Sequence, residues 1–167
     1  MFGEFELWAR QRSGSLLRTA FLISGDQQRA EDLLQECLER VAASWEGIRD
    51  SPDAYARKVL SRQAARGWRR RRLGEILQAD PPSRAISDPS DVVVTRAALA
   101  GLLAKLSPRQ RAVVVLRFYH DLSEADTASA LGCSIGTVKS QTHRALAALR
   151  SAASELADPV EETTANA

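Results

Sequence analysis

Apolar residues recur at steps of three and four along most of this 167-residue chain. They do so over residues 15–41, again over residues 54–68, and in four segments beyond residue 91. That spacing places apolar side chains on one face of an α-helix, whereas a half-buried strand needs alternation with period two. The run Val113–Val115 is the best strand candidate, but it lies inside a capped helical pattern. The chain is therefore predicted to be all-α.

Capping and breaking residues divide the pattern into separate helices. Ser24-Gly25-Asp26 interrupts the first half, and Asp26 is a candidate cap for a second helix that ends near Trp45. After a loop at Glu46–Ser51, Pro52 lies in the first turn of a third helix that continues into Arg72, with Ser51 as its cap. Four more helices are predicted over Val92–Leu106, Pro108–Tyr119, Ser123–Leu131 and Ile135–Ala153, with caps at Ser107, Ser123 and Ser134.

A proline-rich segment separates the two halves. Residues 74–91, GEILQADPPSRAISDPSD, hold three prolines and four acidic residues without a sustained apolar period. The sequence therefore predicts two small helical domains, 1–73 and 92–155, joined by a flexible linker at 74–91. The polar residues 156–167 are predicted to form a disordered tail.

Charge is distributed unevenly along the chain, although the net charge is only +2. Residues 1–56 carry 6 basic and 10 acidic side chains, residues 57–72 carry 8 basic and no acidic ones, and residues 92–155 carry 8 basic and 4 acidic ones. A basic zone suits a polyanion, whose counterions are released on binding. An acidic face suits a different partner, most simply another protein.

Several classes of protein are disfavoured by what the sequence lacks. It contains no run of 18 apolar residues and no apolar segment near its N-terminus, so neither a membrane span nor a signal peptide is expected. A cytoplasmic location is expected instead. Cys37 and Cys133 are too far apart for a metal knuckle or a disulfide framework, and both are expected to be buried thiols. His120 and His143 have no carboxylate or thiol cluster around them in sequence. No metal site, cofactor or catalytic residue is implied.

The segment Leu122–Arg150, LSEADTASALGCSIGTVKSQTHRALAALR, has the form of a helix-turn-helix. Small alanines let its two helices approach, Gly132 permits a left-handed turn, and Ser134 caps the second helix. The second helix directs polar groups outward near its start, at Thr137, Lys139, Ser140, Gln141, His143 and Arg144. A solvated face on an ordinary helical hairpin is the simpler interpretation, but turn, caps and polarity coincide here and favour DNA binding.

The first half pairs an acidic helix with a basic one. Ala30–Val41 carries an apolar stripe on one side and polar or acidic residues on the other, namely Glu31, Asp32, Gln35, Glu36 and Glu39. The next helix ends in RGWRRRR. Such a charge run is often only a solvated helix end. Eight basic residues without an acid, on a helix that also carries Tyr55 and Trp68, favour a nucleic-acid surface instead.

At this point the sequence resembles the extracytoplasmic-function sigma factors of bacterial RNA polymerase, and among them the small actinobacterial SigE-type group. The resemblance extends from about Phe5 to Arg150. Its segments are LLRTAFLISGDQQRAEDLLQECLERV, PDAYARKVL with the following WRRRR, and LSPRQRAVVVLRFYHDLSEADTASALGCSIGTVKSQTHRALAALR. It implies a non-enzymatic factor that binds core RNA polymerase and directs promoter-specific initiation by recognising −35 and −10 elements.

The resemblance also implies roles for individual residues. The residues that would bind the clamp helices of the largest polymerase subunit are Asp32, Gln35, Glu36 and Arg40. The loop with Ile48, Arg49 and Asp50 would bind an unstacked −10 base. The DNA backbone would be held by Arg57, Lys58, Arg62, Arg66 and Arg69. The −35 element would be read by Lys139, Ser140 and His143, with phosphate contacts from Arg109, Arg111, Thr137 and Arg144. The polymerase flap and an anti-sigma factor are the further partners that the resemblance allows.

Two positions depart from the family pattern. Arg62 stands where many relatives carry Asn, which puts the detail of −10 reading by that helix in question, and Asp126 replaces the commoner Glu.

Two other classes of protein share a C-terminal helix-turn-helix. A regulator of the response-regulator type needs alternating strands and helices with a phosphoacceptor Asp, and residues 1–75 show neither. A DNA recombinase needs a nucleophilic Ser or Tyr on an α/β scaffold, whereas Tyr55 lies within a helical apolar stripe and is better interpreted as core.

Overall fold

The computed structural model describes residues 2–74 and 91–157, with side chains over 3–67 and 98–155. Its helices are α1 (Phe2–Ser24), α2 (Gln27–Ser44), α3 (Pro52–Gly74), α4 (Asp91–Ala104), α5 (Pro108–Val114), α6 (Glu124–Leu131) and α7 (Ile135–Ala157). A 3₁₀ turn at Trp45–Gly47 and a π-helical turn at Val115–Tyr119 complete the regular structure of this part of the chain. The all-α prediction is confirmed. Most of the predicted linker and nearly all of the predicted tail lie outside the described residues.

Short polar side chains begin the helices where the sequence predicts. The side-chain oxygens of Asp26, Ser51, Ser107, Ser123 and Ser134 each accept the backbone N–H three residues on, at 2.9–3.4 Å. Each bond satisfies one of the N–H groups that a helix leaves unpaired at its start. Gly132 ends α6 in the left-handed region at φ 66°, as the predicted turn requires.

The helices α1, α2 and α3 form an N-terminal unit around one apolar core. Leu16, Val41 and Leu60 are buried there, with Phe5, Trp8 and Trp45 packed against them. Cys37 lies inside the same core, and burial raises the pKa of its thiol to about 12. The expectation of a buried thiol is confirmed for Cys37, whereas Cys133 is only partly buried because it lies in the turn before α7.

The helices α4 to α7 form a C-terminal unit, and its core extends into the N-terminal one. Val113, Leu116 and Val138 cluster with Ile23 of α1 and Ala64 of α3. The sequence predicted two domains on a flexible linker and nothing in it indicated this contact. The two units are in contact because Ile23 of α1 packs in the cluster of the C-terminal unit and not in the core built by α1, α2 and α3.

The helix predicted over Pro108–Tyr119 changes type near its end. It is α-helical to Val114 and then forms a π-helical turn, after which the N–H of Leu122 bonds to the carbonyl of Leu116 at 3.0 Å. Asp121 takes a positive φ of 52° in the bend that follows. This bend directs the chain into α6, which packs against α3 and α7, while α7 packs against α5.

Candidate nucleic-acid interface

The first half of α7 presents its polar side chains to solvent. Lys139 is 64% exposed, Ser140, His143 and Arg144 are exposed, and Thr137 is half-buried beside the cap. The opposite face is buried through Val138 and Ala145. A helix that packs on the protein through its apolar face and exposes its polar face to solvent has the geometry needed to enter a DNA major groove.

Lys139 is paired only loosely within the protein. Its Nζ lies 3.7 Å from Glu124 Oε2 of α6, and both side chains reach solvent. An exposed pair of this kind contributes little and is screened by salt. Its ammonium group is therefore free to exchange this partner for a base edge or a phosphate.

The two arginines of α5 have different surroundings. Arg109 is exposed. Arg111 donates from Nε to the Leu103 carbonyl at 3.0 Å and from Nη2 to the Leu106 carbonyl at 3.3 Å, at the end of α4. Burial, and next the nearby Arg29, lower the pKa of Arg111. In this conformation its guanidinium joins α5 to the end of α4.

The loop after α2 borders a cavity of about 1210 Å³. Residues 44–51, which include the 3₁₀ turn, line one side together with Tyr55, Arg57 and Lys58. Tyr55 is positioned by a 3.0 Å hydrogen bond from its hydroxyl to Ser44 Oγ. Within the loop Ile48 packs on the N-terminal core while Arg49 and Asp50 are exposed, so the loop offers a polar rim over an apolar floor.

Several basic side chains lie along α3, the helix that packs against α6 of the C-terminal unit. Arg57 and Lys58 are half-buried, and Arg62 and Arg66 are exposed. The Nη2 of Arg62 lies 3.4 Å from the carbonyl of Ser129 in α6. The side chain of Arg69 is outside the described residues.

His120 joins the two units in a contact that sequence reasoning missed. Its Nε2 lies 3.0 Å from Thr19 Oγ1 of α1. Burial, and next the charge of Arg57, lower the pKa of His120 to about 4. Residues 101 apart make this pair, and no local pattern in the sequence marks either one.

Acidification is expected to weaken this contact. The pKa of His120 is lower in the folded chain than its ordinary value of 6.5. The contribution of neutral His120 to stability is therefore complete above pH 6.5 and is lost as the pH falls toward about 4. The free energy of unfolding of the wild type should therefore fall more steeply over this range than that of His120→Gln, measured by urea denaturation. Equal slopes for the two proteins would mean that His120 titrates normally in the folded state.

The exposed face of α2 carries the predicted docking residues together. Asp32, Gln35, Glu36 and Arg40 are all exposed on this helix. Beside them is a smaller cavity of about 240 Å³, which Asp32, Glu36 and Arg40 line with Gln63. The amide of Gln63 is buried without a hydrogen-bond partner in the described structure, which the sequence did not indicate. The face is thus mixed in charge and rests on a rigid helix.

The described residues hold neither a candidate metal site nor a helix that could span a membrane. Over those residues no group of three or more His, Cys, Asp or Glu side chains is placed to hold a metal ion. None of the helices in the same part of the chain is long and apolar enough to cross a membrane.

Both units match known protein families. Residues 8–73 match the model described as Sigma-70 region 2, and residues 96–149 match the model described as Sigma-70, region 4. The chain is 44% identical over 149 residues to the RNA polymerase sigma-E factor of Streptomyces avermitilis, covering 88% of this chain and 83% of that protein. It is 32% identical over 153 residues to the ECF RNA polymerase sigma factor SigL of Mycobacterium tuberculosis, covering 87% and 86%.

Solved structures share the arrangement of helices. The sigma factor RpoE, co-crystallised with the anti-sigma factor NepR from Bartonella quintana, matches with a TM-score of 0.64 at 24% identity, over 89% of this chain and 95% of that one. CnrH, in complex with the cytosolic domain of CnrY, matches with a TM-score of 0.57 at 19% identity, over 93% and 90%. At these identities the likeness shows a common fold.

Proposed function

Since this chain belongs to the extracytoplasmic-function group of the sigma-70 family, and is thus a non-enzymatic factor that directs promoter recognition by RNA polymerase, we propose how its two units divide that task. The rival interpretation, a response regulator with a helix-turn-helix, gives no reason for the sigma region 2 match over residues 8–73.

The C-terminal unit reads the −35 element with α7. The observation that carries this proposal is the exposed polar front of a helix whose other face is buried. Lys139, Ser140 and His143 contact base edges, where lysine suits guanine and hydroxyl groups suit several bases. Thr137, Arg144 and Arg109 contact phosphates and set the register of the helix on the duplex.

The N-terminal unit opens and holds the −10 element. Separating DNA strands costs about 1.4 kcal/mol per base-pair step, which must be offset by contacts to the opened strand. The loop with Ile48, Arg49 and Asp50 takes up an unstacked base beside the cavity of about 1210 Å³. The backbone of the same strand is held by Arg57, Lys58, Arg62, Arg66 and Arg69.

The exposed face of α2 docks on the clamp helices of the polymerase, and the C-terminal unit contacts the flap. Charges spread over Asp32, Glu36 and Arg40 suit a complementary, salt-sensitive protein interface. An anti-sigma factor is a further proposed partner, supported by the two solved relatives of similar fold, since one is bound to an anti-sigma factor and the other to the cytosolic domain of CnrY. We place the protein in the cytoplasm, where polymerase and promoter DNA are found.

Reversing one charge on this face is expected to weaken docking. Glu36→Lys should lower the affinity for core polymerase by about tenfold or more, because it replaces an anion of the proposed interface with a cation. Fluorescence anisotropy of labelled protein with purified core measures the effect. Glu6→Lys, the same change at an exposed position of α1, should leave the affinity unchanged. Equal affinities for all three proteins would remove Glu36 from the proposed interface.

Transcription in vitro tests the whole proposal. Purified core polymerase and the full chain are incubated with a library of promoter templates, and initiated transcripts are sequenced. Promoters with a shared −35 and −10 pattern are expected. Binding of the isolated protein to duplex DNA without any initiation would contradict the proposal and favour a stand-alone regulator.

A further inference from the structure

Trp8 of α1 contacts both ends of the loop proposed to take up an unstacked −10 base. We propose that Trp8 is a positioning residue for this loop, residues 46–51, and acts through the loop without touching DNA itself. The inference rests on the −10 role proposed for the loop above. It adds to that role a side chain of α1, which the sequence pattern did not connect with DNA.

The end of the loop nearest α2 packs on aromatic rings of α1. The ring of Trp45, directly before the loop, lies 5.5 Å between centroids from the ring of Trp8 and 5.5 Å from that of Phe5. Tilted and edge-on aromatic pairs at such distances stabilise a contact beyond the area that they bury. The backbone N–H of Ile48 bonds to the Trp45 carbonyl at 3.3 Å, so the position of Trp45 sets the start of the loop.

The end of the loop nearest α3 is held by the indole N–H of the same Trp8. Its Nε1 donates to Oδ1 of Asp53 at 3.1 Å, in the first turn of α3. The Nε of Arg12 lies 3.2 Å from the same oxygen, and these two charged side chains are 50% and 30% exposed. An ion pair with that exposure contributes little, whereas a part-buried hydrogen bond to a carboxylate contributes more. The bond from Trp8 is therefore the stronger of the two ties.

One side chain thus joins the two ends of the loop. Among the described residues that line the cavity of about 1210 Å³ beside the loop, Phe5 and Trp45 are included and Trp8 is not. Trp8 therefore affects the shape of the loop rather than its contact surface. Arg49 and Asp50 are exposed within the loop, and their placement depends on the ends that Trp8 joins. A loop that is ordered before DNA arrives loses less conformational entropy on binding.

Two variants remove the indole bond from opposite sides. Trp8→Phe keeps an aromatic ring against Trp45 and loses the N–H, while Asp53→Ala loses the acceptor. Asp53→Asn keeps an oxygen that can accept from Trp8 and removes the ion pair with Arg12, so it is the conservative variant. Glu4→Ala, which removes a carboxylate at an exposed position of α1, is the control for loss of charge.

Binding of a −10 strand measures the effect on base capture. The probe is a fluorescent single-stranded oligodeoxynucleotide with the −10 sequence of a promoter that the full chain initiates, titrated with holoenzyme. An abasic scan of this strand with wild type first finds the position whose base contributes most. Trp8→Phe and Asp53→Ala should each weaken binding of the intact strand about three- to tenfold, with no loss on the strand that is abasic at that position. Asp53→Asn should keep most of the affinity that Asp53→Ala loses, and Glu4→Ala should match wild type.

Three other results would overturn the inference. An equal loss on the intact and the abasic strand would mean that the variants lower the active fraction or weaken backbone contacts. No loss for Trp8→Phe would mean that the loop is positioned without the indole bond. A loss for Asp53→Asn as large as that for Asp53→Ala would assign the effect to the charge of Asp53 and not to its bond with Trp8.

Hydrogen exchange of the free protein separates this inference from the −10 role. Measured by mass spectrometry, the peptide over residues 45–53 should exchange about threefold faster or more in Trp8→Phe and Asp53→Ala than in wild type, because a loop released at one end opens more often. Peptides of α7 should exchange at wild-type rates. Unchanged exchange over residues 45–53 would overturn Trp8 as a positioning residue. Faster exchange together with an abasic scan that shows no preferred position would support Trp8 and contradict the −10 role of the loop.

Discussion

Leu60→Ala is expected to lower the free energy of unfolding by about 2 to 5 kcal/mol. Leu60 is 0% exposed in α3 and packs in the core that also contains Cys37 and Val41. Shortening its isobutyl side chain to methyl forfeits the transfer free energy of the deleted carbons and leaves a cavity that rigid neighbouring helices fill only in part. Urea denaturation followed by tryptophan fluorescence measures the loss, because Trp8 and Trp45 lie against the same core.

Leu7→Ala is the matched control for this change. Leu7 is 60% exposed on α1, so the same deletion should alter the free energy of unfolding by no more than about 0.5 kcal/mol. A loss below about 1 kcal/mol for Leu60→Ala would contradict the packing described for α3. Since α3 also carries the proposed backbone contacts, initiation by Leu60→Ala should fail at temperatures where this variant unfolds.

Lys139→Ala is expected to cost about 1 to 3 kcal/mol in binding to the preferred −35 element if its ammonium group contacts a base. The exposed position of Lys139 and its loose pairing with Glu124 mean that the free protein should lose little stability. The measurement is binding of the holoenzyme to a set of promoters that differ by single −35 base pairs. A loss confined to one position assigns Lys139 to base reading.

Lys105→Ala controls for the removal of a positive charge. Lys105 is 57% exposed, pairs with Glu155 at 3.1 Å and lies at the end of α4, outside the proposed reading helix. Its removal should leave −35 discrimination unchanged. A uniform loss across all −35 variants for Lys139→Ala would instead assign that side chain to a phosphate, and no loss at all would remove it from the interface.

The features that the sequence predicted correctly are local ones. The caps at Asp26, Ser51 and Ser107 and the left-handed turn at Gly132 depend on residues within three or four positions. Short-range hydrogen bonds and backbone sterics decide them, and both can be evaluated from neighbouring residue types. The same holds for the face of α7, since helical periodicity alone separates Val138 from Lys139.

The surroundings of Arg111 could not be predicted from the sequence pattern. Arg111 is a basic residue near a helix-turn-helix, as Arg109 is, and the family resemblance implied phosphate contacts for both. In the structure Arg109 is exposed while Arg111 donates to the carbonyls of Leu103 and Leu106. The choice between solvent and carbonyl depends on where α4 ends in space, which no property of the arginine itself encodes.

The sequence by itself determined that the chain is helical, where the capped helices begin, and which helix presents the exposed polar face proposed to read DNA. Those properties follow from periods of three and four and from capping chemistry over one turn. Only the tertiary structure decided that Ile23 and Ala64 join the C-terminal core, that Thr19 meets His120, and that α6 lies across α3. Such contacts join residues far apart in sequence, and their choice depends on the fit of whole helix surfaces rather than on any short segment. The two surfaces proposed to bind DNA could therefore be located from the sequence, whereas the packing of α6 against α3 could not.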